Sequence, residues 1–272
     1  MDAVTGAAGR AAPPGDASGT PPPSRQQMMR AIVQAGYGSA DVWHLEEIGR
    51  PAAAGGEVLL RVHAAGLDRG TWHLMAGQPY VIRLVSGLRA PKNPVPGLDV
   101  AGTVVAVGAD VTGFVVGEEV FGVGQGSFAE YARARPDQLA RKPPSLTFGQ
   151  AAVVAVSGLT ALQGLRDAGR LQPGQNVLIT GASGGVGTFA VQIAKALGAR
   201  VTGVCSTAKT GLVASIGADH VLDYTRDDFA DGSQRYDLIL DIAGNSSLAR
   251  LRRALTATGT LVLAGGEDGG RR

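Results

Sequence analysis

Residues 176–199, NVLITGASGGVGTFAVQIAKALGA, contain a glycine motif between an apolar run and an amphipathic run. The chain has 41 glycines in 272 residues, so three glycines at this spacing are expected about once by chance. The context is more informative than the motif itself. The run before the motif, 176–180, predicts a strand, and the apolar spacing after it predicts a helix over 186–197 that ends at Gly198.

A turn between a strand and a helix is a place where proteins bind pyrophosphate. The N–H groups and the dipole at the helix start favour an anion, and glycines let a phosphate approach the backbone. The alternative is a turn that serves only helix–strand packing. We predict dinucleotide binding by Gly181, Ser183, Gly184, Gly185, Val186 and Gly187.

The second half of the chain alternates predicted strands with predicted helices, which indicates a parallel, doubly wound sheet. The further strands are expected at 200–204, 220–224, 237–243 and 260–265. The helices are expected at 148–165, 208–216 and 247–255. This half, residues 149–272, is therefore predicted to be an α/β Rossmann domain that binds a dinucleotide.

The first half has a different pattern. Between 30 and 141, short apolar or alternating runs are separated by glycine turns, which predicts antiparallel strands in a small barrel or sandwich. One helix is expected near 69–76. We assign residues 29–148 to a mainly-β domain.

The two chain ends are treated separately. Residues 1–28 are rich in Pro, Gly, Ala and Ser, so we expect a disordered tail, or upstream sequence before a start at Met28 or Met29. The chain ends soon after the fifth predicted strand. A six-stranded dinucleotide fold needs one more strand, so we expect an incomplete, truncated domain; a complete five-stranded sheet is the alternative.

Composition excludes several classes of function. A net charge of +2 gives no reason to expect a nucleic-acid or membrane partner. The single cysteine, Cys205, excludes an intramolecular disulfide and favours a reducing compartment, so we expect a cytoplasmic protein. No apolar run approaches the length of a membrane span.

The end of the second parallel strand indicates which dinucleotide binds. An Asp or Glu at this position would accept the ribose 2′-hydroxyl of NAD, and the sequence has none there. Ser206, Thr207 and Lys209 offer hydroxyls and a positive charge instead. We predict NADPH in preference to NADH; the alternative for Lys209 is a solvated residue at a helix start.

Five segments together resemble the quinone oxidoreductase (zeta-crystallin) branch of the medium-chain dehydrogenases/reductases. They are 96–108, 117–122, 126–131, 157–161 and 173–195. The resemblance implies a GroES-like first domain, a Rossmann second domain and an active site in the cleft between them. It also implies that Thr160 lies near the nicotinamide, that Ser206, Lys209 and Tyr224 lie near the 2′-phosphate, and that Gly244 and Asn245 line the ribose–nicotinamide side.

The zinc-dependent relatives in this superfamily carry a Cys after a Gly, and further on a Gly-His-Glu. Here the corresponding segments are Gly66-Leu-Asp68 and Gly97-Leu-Asp99, so Asp68 replaces the cysteine and Leu98 the histidine. Carboxylates without His or Cys make a poor zinc site, and we expect no catalytic or structural metal.

Without a Lewis acid, the easiest hydride acceptor is already electrophilic, so we expect reduction of a quinone, enone or enal. Asp68, Thr71 and His73 are the candidates for polar contacts with the substrate. Asp68 is alternatively a solvated turn residue and His73 a packing residue. Trp72 and Tyr80 would wall an apolar pocket or belong to the core.

Two other functions stay open at this point. One is a reductase of enoyl-thioesters, and the other is a truncated, non-enzymatic nucleotide-binding protein. A homodimer is also left open. In the family that the sequence resembles, the sixth strand often makes the dimer contact, so the expected absence of this strand argues against a dimer.

Overall fold

The computed structural model describes residues 27–265, which form one domain of antiparallel strands and one built on a parallel sheet. The predicted tail lies outside the described residues except for its last two positions, and Met28 is the first residue of a strand. The expectation that a sixth strand is missing stays a prediction, and residues 266–272 also lie outside this range. No helix within 27–265 is long and apolar enough to cross a membrane.

The first domain has the predicted antiparallel strands. They are β1 (Met28–Gln34), β2 (Trp43–Gly49), β3 (Val58–Ala65), β4 (Asp99–Val107), β5 (Glu119–Val123), β6 (Tyr131–Ala134) and β7 (Leu139–Arg141). β1 pairs with β2, and the other five form a sheet in the order β6-β3-β4-β5-β7. Alternate side chains point inward, so Val58, Leu60, Val100, Val104 and Val120 are buried together.

Two helices lie between β3 and β4. α1 (Arg69–Ala76) is the helix that the sequence predicted. Asp68 is its N-cap, and its carboxylate accepts a hydrogen bond from the Thr71 backbone N–H at 2.8 Å. α2 (Arg83–Ser86) was not predicted, because it has four residues and no side-chain cap.

The predicted helix over 148–165 is interrupted, which corrects that prediction. α3 (Phe148–Ala151) ends before α4 (Ala155–Leu162), and α4 continues as a π-helix over Gln163–Ala168. In an unbroken helix the Val156 N–H would bond to the Ala152 carbonyl. Instead it donates to the side chain of Asp99 in the first domain, at 2.8 Å. A residue distant in sequence therefore accepts this N–H at the point where the helix is interrupted.

The second domain is the predicted parallel sheet. Its strands are β8 (Asn176–Thr180), β9 (Arg200–Cys205), β10 (His220–Asp223), β11 (Tyr236–Asp241) and β12 (Leu255–Leu263), in the order β10-β9-β8-β11-β12. The helices are α5 (Gly185–Ala196), α6 (Thr210–Ser215) and α7 (Leu248–Ala254). Apolar clusters on both faces bury the strands, as expected for a doubly wound sheet.

Several boundaries in this domain differ from the prediction, and two of the differences change where an element begins near the predicted site or by several residues. The helix expected at 208–216 begins as a 3₁₀ turn over Thr207–Lys209, and its α-helical part is 210–215. The last strand begins at Leu255 rather than at 260, because Leu255 already pairs with Tyr236 of β11. Neither difference moves the residues of the predicted cofactor site.

Candidate cofactor and substrate site

The glycine turn lies at the carboxyl end of β8, between the central strands of the parallel sheet. Strand order reverses between β8 and β11, the place where doubly wound sheets bind their ligands. Gly181 has a φ of 68°, which favours glycine. A Cβ on Gly187 would collide with the Gly181 carbonyl oxygen. The motif therefore lets α5 begin directly against the end of the strand.

The start of α5 is open to an anion. Gly184 is the N-cap, and no side chain forms a capping hydrogen bond there. The first N–H groups of a helix have no acceptor within the helix, and Gly184 and Gly185 are exposed. The turn thus has the shape and the donors that a pyrophosphate needs, and the residues fit a dinucleotide.

A buried hydrogen-bond network holds this turn beside the end of β11. Thr180 Oγ1 donates to Asp241 Oδ1 at 2.6 Å, and Asp241 is fully buried. The same carboxylate oxygen accepts the backbone N–H of Gly244 at 3.1 Å. The predicted residues Gly244 and Asn245 are therefore brought close to Gly181. Sequence analysis missed Thr180 and Asp241, although both are polar residues at the last position of an apolar strand.

α4 borders the turn from the other side. A Cβ on Gly185 would lie 3.1 Å from Oγ of Ser157, which is buried. Thr160 lies one turn further along α4, and its hydroxyl donates to the Val156 carbonyl at 2.7 Å. The expected neighbour of the nicotinamide is thus on the helix that lies beside the glycine turn. Ser157 is a further neighbour that sequence analysis did not single out.

The end of β9 is free of acids, as the sequence indicated, but β10 brings a carboxylate beside it. Asp223 pairs with Cys205, and the Thr207 hydroxyl donates to the Asp223 carboxylate. This hydrogen bond and one from the Thr225 backbone hold the pKa of Asp223 below its usual range. Sequence analysis considered only the end of β9, so Asp223 was missed.

The other predicted residues surround this carboxylate. Ser206 precedes the 3₁₀ turn that contains Thr207 and Lys209. Tyr224 is exposed, and its backbone N–H donates to the Cys205 carbonyl at 3.1 Å. Arg226 Nε lies 3.8 Å from the Asp223 carboxylate. The strand ends therefore combine hydroxyls, two cations and one anion.

A cavity of about 260 Å³ lies in the first domain, next to α1. Most of its lining is apolar and comes from α1, the loop before β4 and the loop after β5. Representative lining residues are Thr71, Leu74, Pro96, Leu98 and Gly126. Its size and character suit a small apolar ligand.

The three candidate catalytic residues have different surroundings. Thr71 lines the cavity, and its hydroxyl donates to Asp68 Oδ2 at 3.0 Å. Asp68 caps α1, so its carboxylate orients Thr71. His73 Nδ1 lies 2.8 Å from the Gln78 carbonyl oxygen, and the ring is outside the cavity lining. Tyr80 is 71% exposed, with the Arg83 guanidinium over its ring.

The positions that hold zinc in the metal-dependent relatives offer a poor donor set here. Leu98 has no donor atom. Asp99 is buried and accepts the Val156 N–H, and burial raises its pKa to about 6. Within residues 27–265, no three His, Cys, Asp or Glu side chains are grouped so that they could hold a metal ion.

Two parts of the chain match known protein families. Residues 54–144 match the family described as alcohol dehydrogenase GroES-like domain. Residues 185–271 match the family described as zinc-binding dehydrogenase. The matches correspond to the antiparallel domain and to the parallel sheet from α5 onward.

Individual proteins are similar over most of the chain. The 2-methylene-furan-3-one reductase of Solanum lycopersicum is 34% identical, over 81% of this chain and 58% of its own length. The quinone oxidoreductase of Sus scrofa is 32% identical, over 88% of this chain and 74% of its own. A mycobacterial protein solved in complex with NADPH has a TM-score of 0.78 at 30% identity, covering 89% of this chain and 75% of that one.

Proposed function

The chain belongs to the medium-chain dehydrogenase/reductase superfamily, among its quinone oxidoreductase-like members, and on that premise we propose that it is an NADPH-dependent reductase of quinones or α,β-unsaturated carbonyls. The observation that carries the proposal is the open start of α5 at the switch point of the sheet. The chain spans 58% of the tomato reductase, so the activity of the longer protein is part of the proposal.

NADPH fits the residues around the turn. Gly181, Ser183, Gly184, Gly185, Val186 and Gly187 would hold the pyrophosphate, and Ser206, Thr207, Lys209 and Tyr224 the 2′-phosphate. Thr160, Gly244 and Asn245 would border the nicotinamide side. The positive charge of Arg226 offsets the charge of Asp223, and Lys209 in the neighbouring 3₁₀ turn adds a second cation, which supports NADPH over NADH.

The chain's own residues orient the substrate and exclude water, while NADPH, when bound, supplies a hydride. We propose that the apolar cavity beside α1 receives the ring or alkyl part of the substrate. Thr71 would contact the substrate, and Asp68 would hold Thr71 in place. His73 does not line the cavity, so we assign it a packing role at the end of α1.

Zinc has no part in the proposed reaction. Leu98 has a hydrocarbon side chain where the zinc-dependent relatives have a histidine. The buried carboxylate of Asp99 accepts a hydrogen bond from the Val156 N–H of α4. A substrate that needs no Lewis acid is then expected, because its conjugated carbonyl already accepts a hydride. The buried, unpaired Cys205 is consistent with a reducing compartment, and we propose the cytoplasm.

The test is a thermal-shift titration with NADPH and NADH, followed by assays of NADPH consumption. A quinone, an enal and an enoyl-thioester are offered separately. The proposal expects a larger shift with NADPH and turnover of the quinone or the enal. Turnover of the thioester alone would assign the second candidate class. A shift without turnover would leave a nucleotide-binding protein, and no shift with either cofactor would refute the proposal.

A further inference from the structure

An exposed apolar face lies on the short helical segment between α1 and β4. Val81, Leu84 and Val85 are spaced i, i+3 and i+4 along the 3₁₀ turn Tyr80–Ile82 and α2, so they share one face, and Leu88 follows just after the segment ends at Gly87. Their exposed fractions are 67%, 70%, 77% and 68%. Tyr80, beside them, is 71% exposed. Monomeric proteins rarely expose a continuous apolar patch without an interaction to explain it.

The opposite side of this segment is fixed to the domain. Arg83 Nε donates to the Gly77 carbonyl at 2.9 Å, and its guanidinium lies over the ring of Tyr37. The Tyr37 hydroxyl donates to the Gly87 carbonyl at 2.6 Å. Because the polar side is anchored in this way, the apolar face is presented outward in a defined orientation.

The charge around this face has one sign. No Asp or Glu occurs between Asp68 and Asp99, although the chain has 23 acidic residues in all. Arg89 and Lys92 follow the apolar face and are exposed. Among the described residues, neither takes part in an ion pair. Their charges are therefore available to an anionic partner.

We propose that this surface docks on an anionic lipid bilayer. The docking surface consists of Tyr80, Val81, Leu84, Val85, Leu88, Arg89 and Lys92. Apolar side chains that enter the acyl boundary, next to cations at the level of the headgroups, favour binding at the surface of an anionic bilayer. The near-neutral net charge predicted no membrane partner. That value is a sum over the whole chain, so it does not show that residues 69–98 contain cations and no acidic residue.

The docking surface adjoins the cavity. Ser86, Pro91 and Lys92 line the cavity and belong to the same segment. Docking would therefore turn one side of the cavity toward the bilayer. The inference itself needs neither bound NADPH nor turnover, so its failure and the failure of the proposed function are separate results.

The test is co-sedimentation of the full chain with vesicles. One set contains phosphatidylcholine alone, and the other contains phosphatidylcholine with phosphatidylglycerol. We expect binding to the anionic set that weakens as salt is raised. Leu84→Ser with Val85→Ser should weaken this binding at least about tenfold. Arg89→Gln with Lys92→Gln should weaken it to a similar extent, about tenfold, on anionic vesicles only.

The matched control is Val115→Ser with Val116→Ser, in the loop between β4 and β5, where the two side chains are 63% and 62% exposed. This variant should bind like the unsubstituted chain, and circular dichroism should show that all variants fold. Absence of binding to anionic vesicles would overturn the proposal, as would an equal loss in the control.

Sedimentation velocity adds one more outcome. A dimer that Leu84→Ser with Val85→Ser abolishes, without vesicle binding, would assign the face to a second copy.

Discussion

The side chain of Asp99, at the first residue of β4, accepts a hydrogen bond from the backbone N–H of Val156, near the start of α4. The two residues lie in different domains. Ser157, which follows Val156, lies beside Gly185, the first residue of α5, so the bond links the first domain to the glycine turn. A carboxylate of the first domain thus helps to position α4 beside the glycine turn.

Replacement of Asp99 by Asn should change how stability depends on pH. Burial raises the folded-state pKa of Asp99 from 3.8 to about 6, so folding favours the protonated acid. The unsubstituted chain therefore loses stability as pH rises between these values, by roughly 1.4 kcal/mol per pKa unit. The asparagine side chain keeps an acceptor and has no charge to bury. Urea unfolding between about pH 4 and about pH 7 measures the free energy of unfolding of both chains. As pH rises, D99N should become more stable relative to the unsubstituted chain.

Asp167→Asn is the control for this experiment. Asp167 is exposed, and its hydrogen bond from Arg166 lowers its pKa, so any effect of pH should have the opposite sign. An equal pH dependence in D99N and the unsubstituted chain would contradict the expected burial of charge.

Replacement of Gly187 by Ala should damage both stability and cofactor binding. The new Cβ would collide with the Gly181 carbonyl oxygen, a backbone atom that cannot move alone. We expect a loss of about 2 kcal/mol in the free energy of unfolding, typical of overpacking, and a smaller thermal shift with NADPH. Gly211→Ala, in α6, meets no atom within 4 Å and should instead stabilise the chain slightly. Similar behaviour of the two variants would refute this account of the turn.

Thr180→Val tests the buried network at the switch point. Valine keeps the shape of threonine but cannot donate to Asp241, so the variant should lose about 1–3 kcal/mol of stability. Thr180→Ser keeps the hydroxyl and should therefore retain most of the stability that Thr180→Val loses. Chemical unfolding of both variants gives the comparison, and an equally large loss in the serine variant would assign the effect to the missing methyl group.

Lys209→Gln should weaken NADPH binding about five- to tenfold and leave NADH binding unchanged, because only NADPH carries the 2′-phosphate. Arg200→Gln is the matched control, since Arg200 is an exposed cation at the opposite end of β9. Dissociation constants by fluorescence titration measure both. A loss of NADH affinity in K209Q would show that Lys209 acts on another part of the cofactor.

Asp223→Asn should raise the preference for NADPH over NADH. The hydrogen bond from Thr207 holds the pKa of Asp223 low, so the group is charged at neutral pH and repels a 2′-phosphate. The asparagine side chain in D223N would still accept from the Thr207 hydroxyl. We expect the ratio of NADH to NADPH dissociation constants to rise several-fold. An unchanged ratio would place the phosphate away from this carboxylate.

The fold class was predictable because its determinants are local in sequence. An apolar run, a glycine turn and an amphipathic helix specify one strand–turn–helix unit at 176–197, and the observed helix begins within one residue of the prediction. α1 was predictable for the same reason. The break between α3 and α4 was not, because it depends on Asp99, which is 57 residues away from Val156.

The sequence by itself determined the two domains, the parallel and antiparallel sheets and the residues of the glycine turn, since these follow from the periodicity of neighbouring residues and from the positions of the glycines. Only the tertiary structure decided which side chains meet across strands and domains. Thr180 meets Asp241 because β8 and β11 are neighbours in the sheet, and Asp223 meets Thr207 because β9 and β10 end together. Such pairs combine residues from distant parts of the chain, so no local pattern records them.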